Sequence, residues 1–203
     1  SNMKKEMGLV NFDESKGKAS YLRIPKLDDA NFAGSQESLK CTLILTEGDS
    51  AKTLAVSGLD VVGRDYFGVY PLKGKPLNVR GEKREKILKN KEITELLKVL
   101  GLTYGMLTKY KDINKKLDLL KNKLRYGRIM IFADQDVDGI HIKGLVMNIF
   151  HTLFPEALLL EDFIISLATP IIKITKGKTE SKEFYTESEY EKWLENNSLK
   201  GWN

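Results

Sequence analysis

Apolar residues in this chain gather in short runs set apart by polar and glycine-rich punctuation. Thr42-Leu43-Ile44-Leu45-Thr46 shows no polar alternation inside the run, as expected of a strand buried on both faces. The run breaks at Glu47-Gly48-Asp49-Ser50; residues 51–56 then have helical propensity, with Ser57-Gly58 as the predicted stop. Phe67-Gly68-Val69-Tyr70 reads as a second strand, leading into Pro71-Leu72-Lys73-Gly74-Lys75-Pro76, a loop stiffened by two prolines. Ile87, Ile93, Leu96, Leu97 and Leu100 suit two successive helices, with Asn90 as the cap between them. Arg128-Ile129-Met130-Ile131-Phe132-Ala133 predicts a third buried strand, ending in Asp134-Gln135-Asp136-Val137-Asp138-Gly139. An apolar-periodic helix over about residues 140–154 follows and is closed by Pro155. Residues 163–174 predict more strand, and Lys176-Gly177-Lys178 a turn back toward Phe184-Tyr185. Thr186-Glu187-Ser188-Glu189 has capping-box spacing for a short last helix.

Continuous apolar strands alternating with helices indicate an α/β domain with a mainly parallel sheet flanked by helices. The expected organisation is a polar, turn-rich linker or edge extension over residues 1–39, the α/β domain over 40–160, and a strand and helix segment over 161–203. Ser1-Asn2-Met3 reads as a tag remnant ahead of an internal piece of chain. In such sheets chemistry collects at the carboxyl ends of strands, where both acidic clusters sit.

Composition narrows the classes. Of the 203 residues 41% are hydrophobic and 30% charged, which excludes disorder as the main state. The single cysteine, Cys41, excludes an intramolecular disulfide, and with only two histidines a zinc site from these ligands is not expected. No apolar run approaches the ~18 residues of a membrane span, so no membrane partner is expected. The net charge of +5 is unevenly distributed: residues 64–128 carry 18 Lys/Arg against 7 Asp/Glu, whereas 129–172 carry one Lys against six acids. A basic block beside an acidic cluster suggests a polyanion partner next to a cation site.

Asp134, Asp136 and Asp138 recur at spacing two, which in an extended segment points three carboxylates to one side. A hard divalent ion offsets such repulsion and prefers carboxylate oxygens. Glu47 adds a fourth carboxylate if its strand neighbours that of residues 128–133. Two rival motifs fit less well. An EF-hand loop would need a Glu where Leu145 stands and a helix where a strand is predicted. An aspartyl-phosphate enzyme is poorly served by Asp138. A helix cap needs one aspartate, not three. Gly74-Lys75 resembles the end of a P-loop, but Pro76 replaces the Ser/Thr, so no ATP site is indicated. Lys73, Lys75, Asn78 and Arg80 remain good phosphate partners on a stiff loop.

Taken together, Glu47-Gly48-Asp49-Ser50-Ala51, Pro71-Leu72-Lys73-Gly74-Lys75, Leu77-Asn78-Val79-Arg80 and Asp134-Gln135-Asp136-Val137-Asp138-Gly139 resemble the Toprim domain of the type II DNA topoisomerases. His141-Ile142-Lys143-Gly144 extends the last block, and Lys52-Thr53-Leu54-Ala55-Val56 is similar to eukaryotic rather than gyrase-type members. The resemblance runs from about residue 24 to the end and implies a Rossmann-like Toprim sheet. It also implies that Glu47, Asp134 and Asp136 are catalytic and hold Mg²⁺, with Asp138 as a further ligand or support and Mn²⁺ or Ca²⁺ as substitutes. Lys75 and Asn78 match DNA-contacting positions, with Lys73 and Arg80 beside them.

The implied reaction is ATP-dependent cleavage, passage and religation of double-stranded DNA through a tyrosyl phosphodiester. A homodimeric parent in the nucleus is implied with it. The nucleophilic tyrosine, in a downstream winged-helix domain, and the ATPase domain are expected outside these residues, so that alone the piece neither cleaves DNA nor hydrolyses ATP. Arg125-Tyr126 imitates the nucleophile's dipeptide but precedes a core strand and is read as structural. Ile140 replaces a usual Ser and Val137 a Gln, and neither change removes a carboxylate. A Toprim primase or nuclease would share the acidic motifs without the block of residues 71–80. A non-catalytic basic DNA-binding module would not need the carboxylates.

Overall fold

Parallel pairing dominates the architecture. Strands β1 (Thr42–Glu47), β2 (Phe67–Leu72), β3 (Arg128–Phe132) and β4 (Ile164–Ser166) form one sheet in the order β2-β1-β3-β4, every neighbouring pair parallel. A separate antiparallel hairpin, β5 (Ile172–Lys176) and β6 (Glu180–Phe184), follows toward the C-terminus. The computed structural model describes residues 22, 24–133, 137–167 and 170–203, the side chains of Val137 and Asp138 excepted. The helices are α1 (Gly48–Val62), α2 (Arg84–Lys89), α3 (Lys91–Val99), α4 (Ile113–Lys123), α5 (Val137–Leu153) and α6 (Glu187–Asn196). This is the expected α/β fold, a mainly parallel sheet flanked by helices with a C-terminal β-containing segment. No described helix is long and apolar enough to cross a membrane.

Register explains the unalternating strands. Leu43 lies opposite Ile129 and Leu45 opposite Ile131, so these four share one face; they are buried in one cluster with Val146, Ile149 and Phe150 of α5. Phe150 meets Phe163 edge-on at 5.1 Å between ring centroids. On the other face Ile44 pairs with Met130, and with Phe132 these residues share an apolar groove with Leu54, Ala55 and Leu59 of α1. Having apolar neighbours on both faces, the strands carry no polar side.

Several elements differ from the sequence expectation. Helix α1 runs through Ser57-Gly58 to Val62. The Ser57 hydroxyl donates to the Thr53 carbonyl at 3.0 Å, so it does not unravel the turn, and continuing the helix buries Leu59. The helix stops instead at Gly63, whose φ of +88° suits glycine and whose N–H donates to the Leu59 carbonyl. Strand β2 extends through Pro71. Val69 exchanges both backbone hydrogen bonds with Asp28 on the outer side of β2, so Pro71, two residues on, turns its missing donor outward as well. Residues 163–174 are not one strand: β4 belongs to the main sheet and β5 pairs with β6, with Pro170, which has no donor, between them. Helix α4, capped by Asp112 accepting from the Lys115 N–H at 2.9 Å, was not anticipated.

Part of the polar N-terminal stretch is tightly held. Asp29 pairs with Arg125 and accepts from the Tyr126 hydroxyl, which itself accepts from the Ala30 N–H at 2.9 Å. Arg125 also donates to the Val99 carbonyl at 3.0 Å. Gly68 lets this cluster close, because a Cβ there would lie 2.2 Å from the Tyr126 hydroxyl oxygen.

Candidate metal and nucleic-acid site

Glu47 is the last residue of β1 and is half-buried. Gly48, at φ +79°, turns the chain from the strand directly into α1, a conformation that strains residues with a Cβ. The buried Thr46 before it donates its hydroxyl to the Gly48 carbonyl at 3.2 Å, bracing the corner. Strand β1 neighbours β3 in parallel, with Thr46 opposite Phe132, so Glu47 stands at the sheet end from which the chain leaves β3. The adjacency on which a fourth carboxylate depended is therefore present at the level of the strands. Asp134 and Asp136 lie outside the described residues. Asp138 falls in the first turn of α5, with its side chain outside them as well. Among the described residues no group of three or more His, Cys, Asp or Glu side chains is arranged to hold a metal. Ile140 is 67% exposed on α5.

The lysine-rich loop leaves the sheet at the same end. Leu72, the last residue of β2, is the cross-strand partner of Glu47, so Lys73 begins one residue beyond it. Lys73, Lys75, Asn78 and Arg80 are all exposed, whereas Pro76 and Val79 are buried. Backbone geometry shapes the loop: Gly74 sits at φ +73°, and Asn78 Oδ1 accepts from the Arg80 N–H at 3.1 Å. The loop's polar side chains thus face solvent while two of its residues anchor it.

Helix α3 holds the loop's first residue. The Lys73 N–H donates to Glu92 Oε1 at 2.5 Å. Three residues on, Glu95 accepts from the buried Tyr70 hydroxyl at 2.9 Å and pairs with Lys26 Nζ at 3.2 Å, the ammonium lying 4.6 Å from the centre of the Tyr70 ring. Burial works to raise the Glu95 carboxyl, but the hydrogen bonds from Tyr70 and Lys26 outweigh it and hold the group below the usual carboxylate range. Burial, reinforced by the Glu95 carboxylate, pushes the Tyr70 hydroxyl upward. Sequence reading did not find Glu92, Glu95, Lys26 or Tyr70. The one local signal was a pair of carboxylates three apart on an amphipathic helix.

A profile of the Toprim domain matches residues 42–165, from the start of β1 into β4. The chain belongs to the Toprim family. This Toprim chain is 52% identical over 198 residues to the DNA topoisomerase 2 of Acanthamoeba polyphaga mimivirus, covering 95% of this chain and 15% of that protein. It is 55% identical over 170 residues to the DNA topoisomerase 2-alpha of Gallus gallus, covering 84% and 10% respectively. The crystal structure of the Plasmodium falciparum topoisomerase II DNA-binding, cleavage and re-ligation domain superposes with a TM-score of 0.74 at 47% identity, covering 92% of this chain and 24% of that one. The Toprim chain thus spans between 10% and 15% of the length of these two curated relatives.

Tyr126 is fully buried, its hydroxyl engaged by Asp29 and Ala30, and burial followed by the Asp29 charge pushes its ionisation upward. Such a hydroxyl is protonated and inaccessible to a phosphodiester. Tyr126 is a structural residue.

Proposed function

We propose that this chain is the metal-holding Toprim part of a type II DNA topoisomerase, an enzyme that cleaves, passes and religates duplex DNA. The observation that carries the reading is the meeting, at one sheet end, of Glu47 with an anchored loop that displays Lys73, Lys75, Asn78 and Arg80 one residue past Glu47's cross-strand partner. The relatives' shared name supports it. A tyrosine hydroxyl outside these residues attacks the DNA phosphodiester, bonds to the 5′ phosphate and releases the 3′ oxygen. Reversal reseals the strand.

Glu47, Asp134, Asp136 and Asp138 would hold Mg²⁺, with Mn²⁺ or Ca²⁺ able to replace it. All are oxygen donors suited to a hard cation, and Glu47 stands half-buried at a strand end beside a residue with no side chain. When bound, the ion supplies charge stabilisation at the phosphoryl and leaving 3′ oxygens. The exposed cations of the loop bind backbone phosphates and fix the register of the duplex, without reading its sequence. The parent enzyme in this reading is an ATP-driven homodimer of the nucleus. Residues 161–203 lead toward its winged-helix domain, and the 203-residue chain by itself neither cuts DNA nor hydrolyses ATP.

The test is Mg²⁺- and ATP-dependent decatenation of linked DNA circles by the full-length parent beside its Asp136→Ala form. Decatenation by the parent, lost in the variant, is the expected result. A folded parent without activity refutes the topoisomerase reading and turns attention to primase and nuclease assays. Equal activity in both overturns the metal site.

A further inference from the structure

We propose that Glu92 is a positioning residue for the DNA-contacting loop: its carboxylate, set on α3, fixes the Lys73 backbone and thereby the spacing of Lys73, Lys75, Asn78 and Arg80 from Glu47. The inference rests on the topoisomerase reading above and deepens it. A carboxylate beside a phosphate-binding loop is electrostatically the wrong sign for a polyanion ligand, so its presence asks for an explanation. The geometry supplies one. Glu92 Oε1 accepts from the Lys73 N–H at 2.5 Å, a charge-assisted bond to the first residue after β2.

The bracket that carries Glu92 is rigid. Asn90 caps α3 by accepting from the Ile93 N–H at 3.1 Å, and Ile93, Leu96, Leu97 and Val99 bury its apolar side. One helical step along the same flank, Glu95 grips Tyr70 of β2 and Lys26. The helix therefore holds β2 at Tyr70 and the loop at Lys73, on either side of Leu72, the residue opposite Glu47. With Pro76 and Val79 buried further along, the Glu92 bond holds the loop at its first residue, next to the strand end. Loss of that acceptor frees Lys73 and Gly74 to shift while the helix, the sheet and Glu47 stay in place.

Two variants separate the hydrogen bond from the charge. Glu92→Ala removes the acceptor; Glu92→Gln keeps a side-chain oxygen and removes the negative charge. In the 203-residue chain, hydrogen exchange over residues 70–80 is expected to accelerate in Glu92→Ala and to stay near wild type in Glu92→Gln, with the unfolding midpoint little changed. In the full-length parent, the DNA concentration giving half-maximal Mg²⁺-dependent cleavage is expected to rise about tenfold in Glu92→Ala, the equivalent of ~1.4 kcal/mol. Glu92→Gln is expected to match wild type or bind DNA more tightly. Unchanged exchange and half-saturation in Glu92→Ala overturn the proposal, and so does a Glu92→Gln form as weak as Glu92→Ala. Lys75→Ala serves as the control: if it too leaves half-saturation unchanged, the DNA-binding reading of the loop fails. If it weakens binding and Glu92→Ala does not, only the positioning role fails.

Discussion

Removing the Asp29 carboxylate should unfold this chain far more readily than its place in a polar, turn-rich stretch suggests. Its side chain is 7% exposed and that of its partner Arg125 3% exposed, so the pair is buried on both sides. Asp29→Ala takes the Asp29 carboxylate away from a guanidinium held in the interior, and strips the Tyr126 hydroxyl of its Asp29 acceptor. Breaking a buried pair from one side costs about 3–5 kcal/mol. For a chain of this size that lowers the melting midpoint by roughly 6–20 °C. Urea unfolding followed by circular dichroism at pH 7 measures the loss directly, and a double-mutant cycle identifies its source. On an Arg125→Met background the same Asp29→Ala change should cost much less, because no buried charge is then stranded. A loss below about 1 kcal/mol in the single variant, or an equal loss on both backgrounds, would refute the argument.

Two further predictions concern the scaffold. Gly127→Ala should destabilise by about 3 kcal/mol or more, since its Cβ would lie 2.1 Å from the Leu39 carbonyl oxygen and a backbone atom cannot swing aside. Gly58→Ala, helical and with nothing within 4 Å of the added carbon, should instead stabilise by about 0.5–1 kcal/mol, as thermal unfolding of both variants will show. The Cys41 thiol is pushed from 9.0 to about 11, chiefly by burial and then by the Asp29 charge. Because the native state keeps this proton more tightly than the unfolded chain, the contribution is complete below pH 9 and is lost as pH rises toward 11. Urea titrations between pH 8 and 11 should therefore show a steeper decline for wild type than for Cys41→Ala; parallel declines would contradict the burial argument.

Some features were legible in the chain because their causes are local. The unbroken runs at residues 42–46 and 128–133 announced strands covered on both faces, and parallel pairing on either side of β1 is what such runs require. Asn90 and Thr186 were readable as caps because each side chain reaches only three residues ahead, to Ile93 and Glu189. The acidic and lysine-rich motifs stood out for the same reason: their chemistry is written in consecutive residues, and their strand-end position followed from the periodicity before them. Where local signals misled, a distant partner was responsible. Ser57-Gly58 looked like a stop until the burial of Leu59 carried α1 onward. Residues 163–174 looked like one strand, but the main sheet takes only the first part and the hairpin the second.

Local sequence pattern alone was enough for the class of fold, the first three strands of the sheet, and the residue types that cluster at their ends. Tertiary structure decided which strands lie side by side, and so that Glu47 faces the end of β3 and stands one residue from the lysine loop. It also decided that Asp29 binds Arg125 across 96 residues and that Glu92 holds Lys73 across 19. The division has a physical basis. Helix caps and hydrophobic periods depend on neighbours within a turn or two, whereas a buried ion pair or a braced loop depends on where the packed core brings remote segments together.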